Sequence, residues 1–324
     1  RLTMKKLLLI LLCLPIIGFG QKTYVPDDTF EQKLIDFGYD NILDDSVLTS
    51  NINFLTELYL YHNQVSTPIN NLTGIEDFVA LEKLTLTSHQ IASLDLSNNI
   101  FLTNLYILEN SILNINLSNN TLLDTLFVSE QISNIDLSQN TALTSLTINN
   151  CDNLTNIDLS QNTVLAYLII AYNDNLTDIN LSQNILLYDL WIHQNVLLNC
   201  LDVSYNTELK YLTCNDNALE QLNTKNLNWI DMIVDARNNN LACVEVDNMG
   251  WATTHWDFDS FTTLSTNCNY TSPCNSISSI DEQITNKNLL KTTNLLGKET
   301  IGSNNEIIFY IYDDGTVEKR IIIE

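Results

Sequence analysis

Basic residues are scarce: lysine and arginine together number 14 against 39 acidic residues, a formal net charge of −25 over 324 residues. So acidic a chain repels phosphate backbones and anionic lipid, which excludes nucleic acid as an expected partner and favours solubility and cationic partners. With 8 glycines and 4 prolines, it is neither collagen-like nor a low-complexity disordered chain. The apolar run Leu7 to Ile17 is far short of the ~20 residues that cross a bilayer. Catalytic signatures are missing too: there is no GxSxG elbow, HExxH helix, phosphate loop or CxxC zinc pair. His62, His89, His193 and His255 show no triad-like setting. An enzyme is therefore not expected, and neither is a metal or a cofactor.

What is present begins with a leader. Lys5 and Lys6, the run Leu7 to Ile17 and the triplet Gly18-Phe19-Gly20 read as a secretory signal spanning 1–20, with Arg1 to Thr3 upstream of Met4 and cleavage before Gln21. Cys13 follows Leu12 rather than a small residue, so a lipoprotein site is not expected. The mature chain is expected to have no transmembrane span and to be secreted or displayed on the outer cell surface.

Hydrophobic residues make up 45% of the chain and are strongly periodic. NIDLSQN occurs at Asn134 to Asn140 and again at Asn156 to Asn162, and its variants are anchored on Leu96, Leu117, Leu137, Leu159, Leu181 and Val203, in steps of 20 to 22 residues. One coil of that length cannot bury its own apolar face, so neighbours must stack into an elongated core. The second half of each unit reads LxxLxLxxN, from Leu55-x-x-Leu58-x-Leu60-x-x-Asn63 to Leu209, Leu212, Cys214 and Asn217. In that series His89, Gln131 and Cys151 stand at the asparagine position.

Eight such units in a row resemble the leucine-rich-repeat family, whose signature is LxxLxLxx(N/C)xL, over residues 51–248. The resemblance implies a predominantly β solenoid of about 8–9 coils with a parallel concave sheet. Residues of a strand alternate between faces, so the leucines of LxL point inward and the residue between them outward. The asparagine amide satisfies backbone groups that the bend would orphan.

The two halves of the unit differ in kind. The DLSxN half is monotonous: serine recurs at Ser97, Ser118, Ser138, Ser160, Ser182 and Ser204, always two residues after Asp or Asn. Such sameness marks a structural side. Stacked carboxylates such as Asp136 and Asp158 repel by only about 0.9 kcal/mol in water at 4.8 Å, and no calcium-binding nonapeptide is present. In the LxxLxLxxN half the outward residues vary and form two expected patches. One is Tyr59, Tyr61, Tyr106, Leu108 and Phe127; the other is Tyr167, Ile169, Trp191, His193 and Tyr211. Contiguous exposed aromatics mark interaction surfaces, so these ten residues are the candidate ligand-binding set.

Caps close the ends. Residues 21–50 are expected to form an N-terminal cap containing a helix over Val25 to Gly38, started by a capping box of Asp28 with Glu31 and bearing a Phe30, Leu34 and Phe37 stripe. Leu241 to Asp247, Trp251, Trp256 and Cys268 resemble the closing region of exported Bacteroidetes leucine-rich-repeat proteins, with a C-terminal cap over 249–275. That resemblance pairs Cys243 with Cys268. Six cysteines outside the leader allow fifteen full pairings, and Cys200 and Cys274 stay unassigned. A linker, 276–288, leads to a tail, 289–324, in which Leu295-Leu296-Gly297-Lys298-Glu299 and a hairpin about Asp314-Gly315 resemble the sorting domain read by type IX secretion machinery.

The functional expectation is a secreted or cell-surface binding protein without catalysis, engaging a protein or an extended glycan. The alternative is a self-associating structural component of the surface.

Overall fold

The computed structural model describes residues 20–62, 67–270, Cys274 and the strand backbones of 289–294, 307–312 and 317–321. The expected leader run Leu7 to Ile17, the linker 276–288, Asn63, Leu295 to Glu299 and the Asp314-Gly315 turn lie outside the described residues. The chain forms two compact units, Arg1–Asn275 and Ser276–Glu324.

In the first unit an antiparallel pair, β1 (Lys22–Tyr24) and β2 (Ser46–Leu48), and helices α1 (Asp28–Asp36) and α2 (Thr49–Ile52) precede the coils. Nine parallel strands then form one sheet: β3 (Glu57–Tyr61), β4 (Lys83–Thr87), β5 (Asn104–Leu108), β6 (Thr125–Ser129), β7 (Ser145–Asn149), β8 (Tyr167–Ala171), β9 (Asp189–His193), β11 (Tyr211–Thr213) and β13 (Ile233–Asp235). From the later coils a second parallel sheet joins β10 (Cys200–Asp202), β12 (Gln221–Asn223), β14 (Cys243–Glu245) and β15 (Thr263–Ser265), and helix α3 spans Met249–His255.

The apolar periodicity accounts for this architecture. The leucine and isoleucine pair of each strand is buried, as in Leu105 with Ile107 and Leu146 with Ile148, and the anchor of the other half, such as Leu137 or Leu159, meets it across the coil. Each such side chain contributes about 1.5–3 kcal/mol of burial. Two expected outward positions are buried instead: Thr85, flanked in register by Tyr59 and Tyr106, and Ala171, flanked by His193. Short side chains between larger neighbours lose their access to solvent.

The monotonous half is a hydrogen-bonded edge. Asp95, Asn116, Asp136, Asp158, Asn180 and Asp202 each accept the backbone N–H of the serine two residues on. The asparagine three residues past each anchor is fully buried and bridges coils. Asn140 Nδ2, for example, donates to the Leu117 and Asn120 carbonyls, and Asn162 Nδ2 to those of Leu137 and Asn140. A second file follows the strands, in which Asn173, Asn195 and Asn217 accept the N–H of Cys151, Asn173 and Asn195 in the preceding coil. Both files answer the same requirement, that buried backbone groups find partners.

One coil departs from the expected pattern. Most strands are followed by a left-handed residue, such as Glu109, Asn150, Tyr172 or Gln194 (φ between 53 and 57°), before the ladder residue. The coil after β6 is one residue shorter at this point, so Gln131 does not occupy the ladder position and is exposed. Glu130 fills it instead. Its Oε1 accepts from Asn110 N at 2.7 Å and Asn110 Nδ2 at 2.9 Å, and its Oε2 from Ile112 N at 3.3 Å.

The N-terminal cap also differs from expectation. Asp27, not Asp28, caps α1, accepting from Thr29 N and Phe30 N at 3.0 Å. Glu31 is buried and turned away from the helix start, accepting from Asp44 N, Asp45 N and Ser46 N. Phe30 and Leu34 are core, whereas Phe37 lies past the helix and is exposed. Asp27 also has a second use: its other oxygen accepts from Asn70 N and Asn71 N, tying the helix to the first coil.

At the other end Cys243 is bonded to Cys268, and Cys200 to Cys274, the two cysteines without a sequence assignment. Cys151 and Cys214 are free and buried. In the second unit β16 (Leu289–Asn294), β17 (Ile307–Tyr312) and β18 (Val317–Ile321) form an antiparallel sheet, adding a third strand to the expected hairpin.

Candidate functional site

Strand register places the outward residues in continuous files. Tyr59, Thr85, Tyr106, Phe127, Thr147, Ile169, Trp191 and Thr213 are paired strand to strand, and so are Glu57, Lys83, Asn104, Thr125, Ser145, Tyr167, Asp189 and Tyr211. The candidate residues therefore fall on one face of one sheet, as two groups separated by the small polar residues of β7.

In the first group the Tyr106 and Phe127 rings stack with centroids 6.2 Å apart, and Leu108 lies in the same register row as Ser129. Tyr59 and Tyr61 stand at the end strand, where with Phe37, Tyr39, Glu57 and Leu58 they line a pocket of about 410 Å³. Glu57 accepts from Lys83 Nζ at 2.7 Å and Tyr59 Oη at 2.9 Å. The lysine, then the phenol, hold its carboxyl below the usual range, while the same hydrogen bond pushes the Tyr59 phenol up.

The second group is more exposed. Tyr167, Trp191 and Tyr211 keep 42 to 50% of their surface in solvent, with Ile169 and His193 half-buried beside them. Trp191 Nε1 donates to Asp189 Oδ1 at 2.7 Å, fixing the indole over a carboxylate that burial pushes up. Two residues outside the expected set belong here. Tyr188 lies between Tyr167 and Tyr211, with ring centroids 6.2 and 5.7 Å away, and Lys210 Nζ sits 5.6 Å from its centroid. Tyr172 packs edge-on against His193 at 5.6 Å. Tyr188 is the first variable residue of LxxL, and the aromatic at that position was the available signal.

Other reactive groups have structural roles. Burial pushes the Cys151 thiol up to about 11 and the Cys214 thiol further still, which keeps both protonated and poorly nucleophilic. Among the described residues one trio, Glu31, Asp40 and Asp44, is close enough to share a cation. Glu31 is already engaged by three backbone N–H groups, and Asp44 by Lys22 at 2.9 Å.

Solved structures share this architecture. The internalin InlF of Listeria monocytogenes matches with a TM-score of 0.58 at 23% identity, over 75% of this chain and 71% of its own. The functional domain of InlJ from the same organism, described as including a cysteine ladder, matches at 24% identity over 75% of this chain, with a TM-score of 0.49. The chain spans 62% of the length of that InlJ domain. No family model and no curated protein matches the sequence. The likeness to InlF extends to the fold, which is a leucine-rich-repeat solenoid.

Proposed function

We propose that the long sheet is the working face of a secreted or cell-surface binding protein without catalytic function, and that its ligand is a protein or an extended glycan. The observation that carries this reading is the second aromatic group. Tyr167, Trp191 and Tyr211 are large, half-exposed and held in place by strand register and by the Asp189 hydrogen bond, and covering them releases much apolar surface from water. Nine strands at about 4.8 Å span roughly 38 Å, which suits a macromolecule better than a metabolite.

The route outward rests on the leader and on the tail's resemblance to type IX sorting domains. Removing 289–324 in the native host is expected to leave the protein inside the outer membrane; undiminished surface display would refute that route. For the binding face, a protein and glycan array identifies a ligand. The combined substitution Tyr167→Ala, Trp191→Ala and Tyr211→Ala is then expected to weaken binding on the order of 100-fold or more with the fold unchanged. Full retained affinity would exclude this face.

A further inference from the structure

Strands β3 and β9 carry the same outward pair, an acid and an aromatic separated by a buried leucine: Glu57-Leu58-Tyr59 and Asp189-Leu190-Trp191. In each, the aromatic donates to the acid two residues back, Tyr59 Oη to Glu57 Oε2 at 2.9 Å and Trp191 Nε1 to Asp189 Oδ1 at 2.7 Å. The two pairs differ in what meets the other carboxylate oxygen. Glu57 Oε1 accepts from Lys83 Nζ at 2.7 Å, the lysine standing beside it in register on β4. Beside Asp189 in the same file stand Tyr167 and Tyr211. Among the described residues Asp189 Oδ2 accepts no hydrogen bond and Asp189 enters no ion pair. Lys210, the residue before Tyr211, holds its Nζ over the Tyr188 ring.

The difference has an energetic sign. Lys83, then Tyr59, holds the Glu57 carboxyl below its ordinary range, whereas burial pushes the Asp189 carboxyl above it. Any macromolecule lying on Tyr167, Trp191 and Tyr211 covers Asp189 as well and strips its remaining water. A carboxylate so covered is costly unless a countercharge comes with the cover. A neutral hydroxyl supplies a hydrogen bond and leaves the charge unmet, but an ammonium or guanidinium supplies both. Tyrosine faces on either side attract the same groups, and a net charge of −25 draws basic partners.

We infer that Asp189, between Tyr167 and Tyr211, receives a lysine or arginine side chain of a protein ligand, as Glu57 receives Lys83 within the chain. The inference rests on the sheet face being the binding surface, and it narrows the ligand to a protein with an exposed basic residue.

A displayed library of random peptides, selected on the full chain, tests it. The expected result is a set of peptides that share a lysine or arginine and are lost with the combined Tyr167→Ala, Trp191→Ala and Tyr211→Ala variant. Asp189→Asn in the protein keeps an oxygen for Trp191 Nε1. That substitution, or glutamine for the basic residue of a selected peptide, is expected to weaken binding on the order of 30-fold or more. Making both changes should weaken it no further than either alone. Asp158→Asn removes the same charge from the DLSxN half, where Asn116 and Asn180 stand at the equivalent position, and should leave affinity within about twofold. Peptides that need the three aromatics but carry no basic residue, or that ignore Asp189→Asn, overturn the inference and leave the binding face standing. An equal loss with Asp158→Asn reduces the effect to overall charge and also overturns it. If no selected peptide needs the aromatics, the inference falls; a glycan that does need them would keep the face, and without one the face falls too.

Discussion

Glu130 offers the sharpest test of how the coils are held together. Replacing it by leucine leaves Asn110 N, Asn110 Nδ2 and Ile112 N without their acceptor. An orphaned buried donor costs about 1–3 kcal/mol. The bond at 3.3 Å is the weakest of the three, and removing a carboxylate whose burial pushes its pKa up returns part of the loss. The net cost of Glu130→Leu is therefore about 3 kcal/mol. Glu130→Gln keeps an oxygen for both Asn110 donors and loses only the Ile112 bond, about 1 kcal/mol.

The pH dependence of that glutamate has a definite sign. With its folded pKa above the unfolded value of about 4.3, the fold binds the proton more tightly than the unfolded chain does. Stability from this group is then present below about 4.3 and is lost as pH rises through the folded pKa. Wild type should thus lose ground relative to Glu130→Gln as pH rises above about 4.3. Urea unfolding followed by far-ultraviolet circular dichroism measures all three proteins, with equal m-values required because repeat arrays unfold piecewise. Hydrogen exchange at Asn110 and Ile112 localises the effect. If Glu130→Leu costs no more than about 0.5 kcal/mol, or if the glutamine costs as much as the leucine, the ladder role assigned to Glu130 is wrong.

Two further outcomes follow from buried and cross-linked groups. His89 is buried, its Nδ1 accepting from Ile69 N at 3.2 Å, and burial first and nearby His62 second push its pKa down to about 4. Its contribution is complete above the unfolded value of about 6.5 and is lost as pH falls through the folded value, up to about 3 kcal/mol. His89→Asn should flatten the acid limb of a stability–pH curve, and an unchanged limb would refute the assignment. The Cys200–Cys274 bond joins residues 74 apart and Cys243–Cys268 residues 25 apart, so loop closure assigns about 4.5 and 3.5 kcal/mol respectively. Replacing each pair by serine should lower the denaturation midpoint more for the longer loop, and the reverse order would point to native-state strain or residual structure instead.

The elements that were legible in the sequence are those the period dictates. Leu105 with Ile107 and Leu146 with Ile148 had to face inward because a strand alternates, and the DLSxN half had to be structural because nothing in it varied. What escaped were features set by distances across coils. The one-residue deletion after β6 was visible as a short step, yet the sequence pointed to Gln131. Only the missing left-handed residue shows why the longer Glu130 side chain takes the place. Glu31 read as a helix-start residue from its spacing to Asp28, but the backbone of Asp44 to Ser46, folded over it, is a stronger partner for a buried carboxylate. Cys200 and Cys274 could not be matched because nothing local relates them.

The same reasoning separates the two surfaces of the coil. A position that is polar or apolar indifferently along the array carries no structural demand, so an apolar run there needs another cause. Tyr188 and Trp191 meet that criterion on the sheet face. The Trp191 indole is hydrogen-bonded to Asp189 and the Lys210 ammonium sits over the Tyr188 ring, a mixed chemistry suited to a foreign ligand.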